Sequence, residues 1–135
     1  MAPPAAGFVV IHNDSRAPVR VWRTGNEWGD DALFFEVHHG GETARIVRRG
    51  QLYTRNVPSA VDVPPASGHE WPFDLGDGTW ETTRPDVAAP GGDAQLVAVY
   101  SPRESPEAAA AGIWIGEVRS EPVTVARWEP PRVRR

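Results

Sequence analysis

The histidines are the residues whose type could ligate a transition metal, and they are His12, His38, His39 and His69. His38 and His39 are adjacent, and adjacent side chains of a β-strand point to opposite faces, so the two cannot chelate one ion there. Neither the His-x-His nor the His-Glu-x-x-His spacing of zinc sites occurs. The carboxylates near the glycines of 74–79 lack the spacing of a calcium-binding loop. The sequence therefore predicts no metal site.

Residue types that supply nucleophiles and general bases are scarce. The chain has no cysteine, and all 14 of its basic residues are arginine, which excludes thiol and lysine chemistry. The Gly-x-Ser-x-Gly motif of serine hydrolases is missing. Carboxylate pairs carry little information in a chain with 18 Asp and Glu residues. We therefore predict that the protein is not an enzyme, has no catalytic residues and uses no cofactor.

The overall charge narrows the class of partner. The 135-residue chain has a formal net charge of −4 and a pI of about 5.5, whereas a nucleic-acid-binding domain is typically basic because it neutralises phosphates. No apolar run approaches the ~18 residues of a membrane helix, and the first residues lack the features of a signal peptide. With no cysteine, the sequence fits a reducing compartment. We expect a cytoplasmic protein that binds neither nucleic acid nor membrane.

Aromatic residues give the stronger indication of function. Six tryptophans are many for a core of this size, and tryptophan and arginine are enriched where proteins bind one another. In the predicted strands Trp22 and Phe34 share faces with charged residues, so we expect both rings to be exposed. Trp28 stands in a polar loop, whereas Phe35 and Trp114 are predicted core residues. The alternative is that the long irregular segments cover the remaining rings as lids.

A cluster of arginines follows in the segment 42–55. The segment contains four arginines and one acidic residue, a local net charge of +3. Its predicted strand, 42–49, ends in two arginines, which indicates an edge that could accept a strand from a partner. The alternative is an edge that its charges protect from aggregation. The predicted contact surface combines aromatic anchors with this edge, and its residues are Trp22, Trp28, Phe34, Arg48 and Arg49.

Glycine and proline, 13 and 14 residues, divide the chain into short runs rich in β-branched and aromatic residues. Such runs between turn signals are typical of an all-β sandwich. Ser105, Pro106 and Gly112 are suited to the N-cap, first position and C-cap of one short connecting helix, 105–111. The predicted strands are 8–12, 18–23, 32–38, 42–49, 59–63, 69–75 and 95–100, with a last, broken strand over 113–127. The segments 50–67 (apart from its strand) and 79–93 are predicted to be irregular.

Two stretches, 25–36 and 112–125, have more specific patterns. The second contains W-x-G-x-x-x-S-x-P-V over 114–123. Both resemble segments of bacterial immunoglobulin-like domains of an uncharacterised family, and the general layout is similar to that of intracellular proteinase-inhibitor domains. The resemblance implies an immunoglobulin-like antiparallel β-sandwich of about seven or eight strands over residues 7–128. We expect flexible termini at 1–6 and 129–135.

These observations predict a non-catalytic binding or adaptor module that recognises a protein partner. Three other classes stay open. A self-assembling structural protein would show a mass that depends on concentration. An intracellular proteinase inhibitor would need a rigid protruding loop, for which 55–59 with Pro58 is the candidate. A carbohydrate-binding module would need exposed coplanar rings, for which Trp71 and Trp80 are the candidates.

Overall fold

The computed structural model describes residues 6–50, 53, 56–84, 92–126 and 131. Within these residues it contains ten strands and two helices. Neither helix of the described part is long and apolar enough to cross a membrane. The elements, in chain order, are β1 (Ala6–His12), β2 (Val19–Trp22), α1 (Glu27–Ala32), β3 (Leu33–His39), β4 (Glu42–Arg48), β5 (Ala60–Val63), β6 (Gly68–Asp74), β7 (Trp80–Thr82), β8 (Ala94–Tyr100), α2 (Pro106–Ala111), β9 (Val118–Arg119) and β10 (Val123–Val125).

The larger layer is a six-stranded antiparallel sheet. Its strand order is β10-β8-β3-β4-β7, and β9 also pairs with β8. β8 is central and has buried side chains on both faces, among them Leu96, Val97 and Val99. β9 and β10 follow one another along the same edge of β8, and their registers differ by one residue, because Arg119 lies opposite Val99 but Val123 lies opposite Leu96. The β9–β10 segment therefore contains a bulge near Ser120.

The second layer is a bent two-stranded ribbon, formed by β1 with β6 and β2 with β5, both antiparallel. The bend lies at Asn13, which is 5% exposed. Its side-chain amide donates to the carbonyls of Ala17 and Val63 at 2.9 and 2.8 Å, and its Oδ1 accepts from the Ser15 amide. Its backbone N–H donates to the Ser67 carbonyl across the ribbon. The hydrogen bonds of Asn13 thus take the place of the strand-to-strand hydrogen bonds that the bend interrupts.

Two clusters of buried side chains fill the space between the layers, and Val9 packs against both. The first joins β3, β4, β7 and β8, and the second joins the ribbon to α1, α2 and the end of β8. This arrangement confirms the predicted all-β sandwich. The first cluster contains Phe35, Val37, Ala44, Ile46, Leu75, Trp80, Ala94 and Leu96. The second contains Val21, Trp22, Ala32, Leu33, Val63, Trp71, Tyr100, Ala108 and Ile113.

Helix α2 is confirmed, and α1 was not expected. Ser105 caps α2 by accepting from the Ala108 amide, and Gly112 ends it with φ of 68°, a left-handed conformation suited to glycine. The predicted polar loop around Trp28 instead contains α1, which Asn26 caps by accepting from the amide of Gly29. A Cβ on Gly29 would lie 1.8 Å from the Arg23 carbonyl oxygen, so this close approach requires glycine.

The predicted edge strand 42–49 is wrong as an edge. β4 pairs with β3 on one side and with β7 on the other, Ile46 lying opposite Thr82 and Arg48 opposite Trp80. β7 lies in the segment 79–93, which was expected to be irregular. It was not predicted because three residues are too few to show strand alternation. Over residues 45–48, strand addition at β4 is therefore excluded, since the backbone groups of these residues are already used on both sides.

Parts of the predicted organisation lie outside the described residues. Of the expected flexible termini, Ala6 belongs to β1 and Pro131 is buried. The other residues of 1–6 and 129–135 are not described, and neither are Arg55 and residues 85–91.

Because Asn13 serves two carbonyls and one amide at the bend, we expect Asn13→Ala to lower the free energy of unfolding by about 2–3 kcal/mol. The matched control is Asn56→Ala, since Asn56 is exposed and accepts one bond, from the Glu27 amide. Its cost should stay below about 1 kcal/mol. Urea unfolding measures both variants. Equal losses would mean that Asn13 does not hold the bend.

Candidate functional site

Trp22 is buried rather than exposed, which corrects the sequence prediction. Its side chain is 2% exposed, and the ring of Trp28 on α1 lies with its centroid 6.2 Å away. Trp22 and Val21 are neighbours on β2, so their side chains point to opposite faces of the strand. Both are buried, because the sandwich core covers one face of β2 and helix α1 contacts the other. Of these two tryptophans, only the half-buried Trp28 has a partly accessible ring.

The backbone N–H and carbonyl of Trp22 are bound by two other aromatic side chains. The Tyr100 hydroxyl accepts from its N–H at 3.0 Å, and the Trp71 indole N–H donates to its carbonyl at 3.0 Å. The two rings stack with centroids 4.9 Å apart. Next to them the Arg20 carbonyl accepts from the Trp114 amide. The outer edge of β2 is thus closed by side chains and by the segment after α2.

The other predicted contact residues belong to separate local clusters. Phe34 is half-buried under the guanidinium of Arg45, which lies 4.8 Å from the ring centroid. Arg48 stacks over Trp80 at 4.4 Å and donates to the Thr79 hydroxyl. Arg49 is half-buried, and its amide donates to the Thr79 carbonyl. Because Trp22 is buried, it leaves the predicted contact surface, and the binding roles of Trp28, Phe34, Arg48 and Arg49 stay predictions.

Trp71 and Trp80 are also buried, at 2% and 1% exposure, so neither offers the exposed ring that a carbohydrate platform needs. Trp114 was predicted to be a core residue and is instead 37% exposed, stacked over Tyr100. Trp128 lies outside the described residues. Strand alternation indicates which side chains share a face, but not whether another element covers that face.

An apolar groove runs along β1, between this strand and the segment 114–125. It consists of three depressions with volumes of about 340, 240 and 260 Å³, and neighbouring depressions share lining residues. We call it the β1 groove. Buried residues of β3 and β8 line it, among them Phe35, Leu96 and Tyr100. The exposed apolar residues that line it are Phe8, Val10, Trp114, Val118 and Val123.

The backbone of β1 is paired along one edge. Phe8 lies opposite Pro72 in the register with β6, and the Asn13 amide donates to the Ser67 carbonyl. The odd-numbered residues therefore form the hydrogen-bonded pairs, and Pro72, which has no N–H, stands at a non-hydrogen-bonded pair. The N–H and C=O groups of Phe8 and Val10 point away from β6. The backbone hydrogen bonds of the described residues give these groups no partner.

The opposite wall of the groove is held by a pair of charges and by the bulge. Arg119 on β9 donates to both carboxylate oxygens of Glu36 on β3, and Glu36 is 8% exposed. The bond from Arg119 keeps the pKa of the Glu36 carboxyl below its ordinary value. At the bulge the Ser120 hydroxyl accepts from the Ala98 amide, and the Ser120 amide donates to the Ala98 carbonyl. This wall is therefore preformed.

The polar groups at the end of the groove are solvated. Nδ1 of His12 and a carboxylate oxygen of Asp14 lie 2.7 Å apart, and both side chains are largely exposed. The Ser15 hydroxyl has both of its acceptors within its own turn, Asn13 Oδ1 at 2.7 Å and the Ala17 carbonyl at 2.9 Å. Among the described residues no group of three or more His, Asp or Glu side chains could hold a metal ion. The arrangement favours an extended apolar ligand over a charged one.

None of the site residues predicted from the sequence lies on β1. A signal was present, since residues 6–12 contain apolar side chains at both parities and no charged residue except a histidine. A strand with one buried face and one solvated face would alternate. The unusual pattern marks an exposed apolar face, although it does not say which strand edge is unpaired.

Alkaline titration tests whether Tyr100 is buried and bonded to the Trp22 N–H, as the structure shows. The chain has no lysine, and arginine stays charged beyond pH ~12, so its two tyrosines are the side chains that titrate in this range. Burial raises the pKa of Tyr100 to about 12. Burial and the bond that Tyr53 donates to Asp30 raise the pKa of Tyr53 as well. Both shifts stabilise the fold fully below pH ~10, and this stabilisation is lost as the pH rises through the folded pKa.

In a Tyr53→Phe background we expect the free energy of unfolding to fall by roughly 2–3 kcal/mol as the pH rises from about 10 to about 12. The variant that also carries Tyr100→Phe should keep a nearly constant stability over this range, from a lower starting value. Urea unfolding and the ultraviolet absorbance of tyrosinate measure the two effects. Ionisation of Tyr100 at the pKa of free tyrosine would contradict its buried hydrogen bond to Trp22.

Comparisons of the chain with protein-family models, with curated proteins and with solved structures find no match. The resemblance to bacterial immunoglobulin-like domains and to proteinase inhibitors therefore stays a prediction.

Proposed function

We propose that the protein is a non-catalytic module that binds another protein through the β1 groove. The observation that supports this proposal is the continuous row of exposed apolar side chains beside an unpaired strand edge. Phe8 is 65% exposed and Val123 is 60% exposed, on opposite walls of the groove. Apolar patches of this kind on a folded domain mark sites of interaction with proteins or ligands.

The shape of the groove favours an extended chain over a compact small molecule. Each depression is at or below the lower end of the roughly 300–1,000 Å³ of ligand pockets. Together they follow β1, whose seven residues span about 23 Å at the usual rise of a strand. An extended segment laid along an edge gains main-chain hydrogen bonds and places alternate side chains in pockets.

The polar groups near the groove support a binding role rather than a catalytic one. His12 and Asp14 contact each other, and both side chains stand largely in solvent. The Ser15 hydroxyl is engaged by Asn13 and Ala17 instead of by His12. A hydrolytic centre would need a nucleophile within hydrogen-bond reach of its base.

Two of the alternative functions have less support. The rings proposed for a carbohydrate platform are in the core. The proposed inhibitory loop 55–59 begins outside the described residues, and Asn56 within it is tied to α1 by its bond with the Glu27 amide. A cytoplasmic location and the absence of nucleic-acid partners stay predictions, consistent with the acidic net charge of −4.

A phage-displayed library of random peptides tests the proposal. We expect selection on the immobilised protein to enrich peptides with alternating apolar residues, because they can pair with an edge and fill the depressions. Val118→Lys places a charge on the groove wall and should weaken their binding by at least about tenfold, or about 1.4 kcal/mol. Fluorescence anisotropy of a labelled peptide measures the dissociation constant.

The matched control is Val57→Lys, since Val57 is exposed but does not line the groove. Its affinity should equal that of the wild type. Circular dichroism of both variants checks that they are folded. If no peptide is enriched, or if both variants bind as the wild type does, the β1 groove is not a protein-binding site.

A further inference from the structure

Each edge strand other than β1 that the structure describes is either short or guarded, that is, it has a proline or a charged residue that disfavours pairing with another strand. β7 and β10 have three residues each, and β5 has four. β6 has seven residues, but Pro72 on its outer edge has no N–H to offer, and Glu70 adds a charge near that edge. β1 also has seven residues, and its sequence, AGFVVIH, has neither proline nor a carboxylate or arginine. β1 is therefore the longest unguarded edge of the described residues.

The pattern of β1 is complementary to itself. Two antiparallel copies related by a two-fold axis at Val9 would bring Phe8 of one copy opposite Val10 of the other, and His12 opposite Ala6. These are the residues whose N–H and C=O groups point away from β6. Four such pairs, each exchanging two bonds, give about eight hydrogen bonds between the copies. No like charges meet along this edge.

We propose that the occupant of the β1 groove is β1 of a second copy of this chain, paired antiparallel across a two-fold axis. This proposal rests on the proposed protein-binding role of the groove and names the partner. A two-fold contact uses the same edge on both copies, so the assembly closes as a dimer and does not grow into a filament. The apolar residues that this pairing brings together at its centre, Phe8 and Val10, are exposed in the single chain.

The dimer should be weak and should respond to salt. A seven-residue edge is far smaller than the about 20–30 residues per side of a standard interface, so we expect a dissociation constant on the order of micromolar. Each copy carries a net charge of −4, although β1 itself contains no carboxylate or arginine. Salt screens the repulsion between the two copies, so added salt should tighten the dimer.

The variant Val10→Pro removes one N–H that points away from β6 and leaves the β1–β6 ladder intact, since proline is tolerated on an edge strand. Val57→Pro is the matched control, because Val57 is exposed and does not line the β1 groove. Sedimentation equilibrium over a series of concentrations measures the mass. We expect the wild type and Val57→Pro to rise from 14.8 kDa to twice this value, and Val10→Pro to need at least about tenfold higher concentration.

A second measurement keeps the test decisive if Val10→Pro fails to fold. In a mixture of isotope-labelled and unlabelled wild-type chains, intermolecular nuclear Overhauser effects should join Phe8 of one copy to Val10 of the other. A wild type that stays monomeric overturns the dimer. If that monomer still binds the selected peptides, the groove recognises a foreign strand and the proposed function stands. A dimer that Val10→Pro leaves unchanged, without those contacts, would use another surface and would also overturn the proposal.

Discussion

The fold depends on two aromatic side chains that bind the backbone N–H and the backbone carbonyl of Trp22. The Tyr100 hydroxyl and the Trp71 indole each supply one hydrogen bond, from the end of the six-stranded sheet and from the ribbon. A buried amide and carbonyl without partners would each cost about 1–3 kcal/mol, so these bonds fix the position of β2 against both elements. The same contacts use three aromatic rings inside the protein. They explain why tryptophans that suggested a binding surface are instead part of the core.

Closing the edge of β2 leaves β1 as the open part of the ribbon. Asn13 bends the ribbon between the two strands, so β2 meets the segment after α2 whereas β1 runs beside β9 and β10 without pairing with them. The space between these walls is the β1 groove. The pair formed by Glu36 and Arg119 holds the far wall to the sheet. The groove therefore follows from the bend at Asn13 and from the closed edge of β2.

The elements that the sequence predicted well are those with local signals. Strand periodicity located β1 to β6 and β8 to within a few residues, and Ser105 with Gly112 located α2 through its caps. Helix α1 was missed because its polar, glycine-containing sequence has the composition of a loop. The site could not be predicted in the same way. Whether Trp22 is covered and whether β1 has a neighbour are decided by contacts between residues that are far apart in sequence.

Native-state hydrogen exchange along β1, measured residue by residue in dilute solution, tests the central claim most directly. The account predicts an alternation, in which the amides of Gly7, Val9 and Ile11 exchange slowly because they bond to β6, whereas those of Phe8 and Val10 exchange rapidly. Slow exchange of all five amides in the dilute monomer would contradict it, because the edge of β1 would then already be paired within the chain and unavailable to a partner.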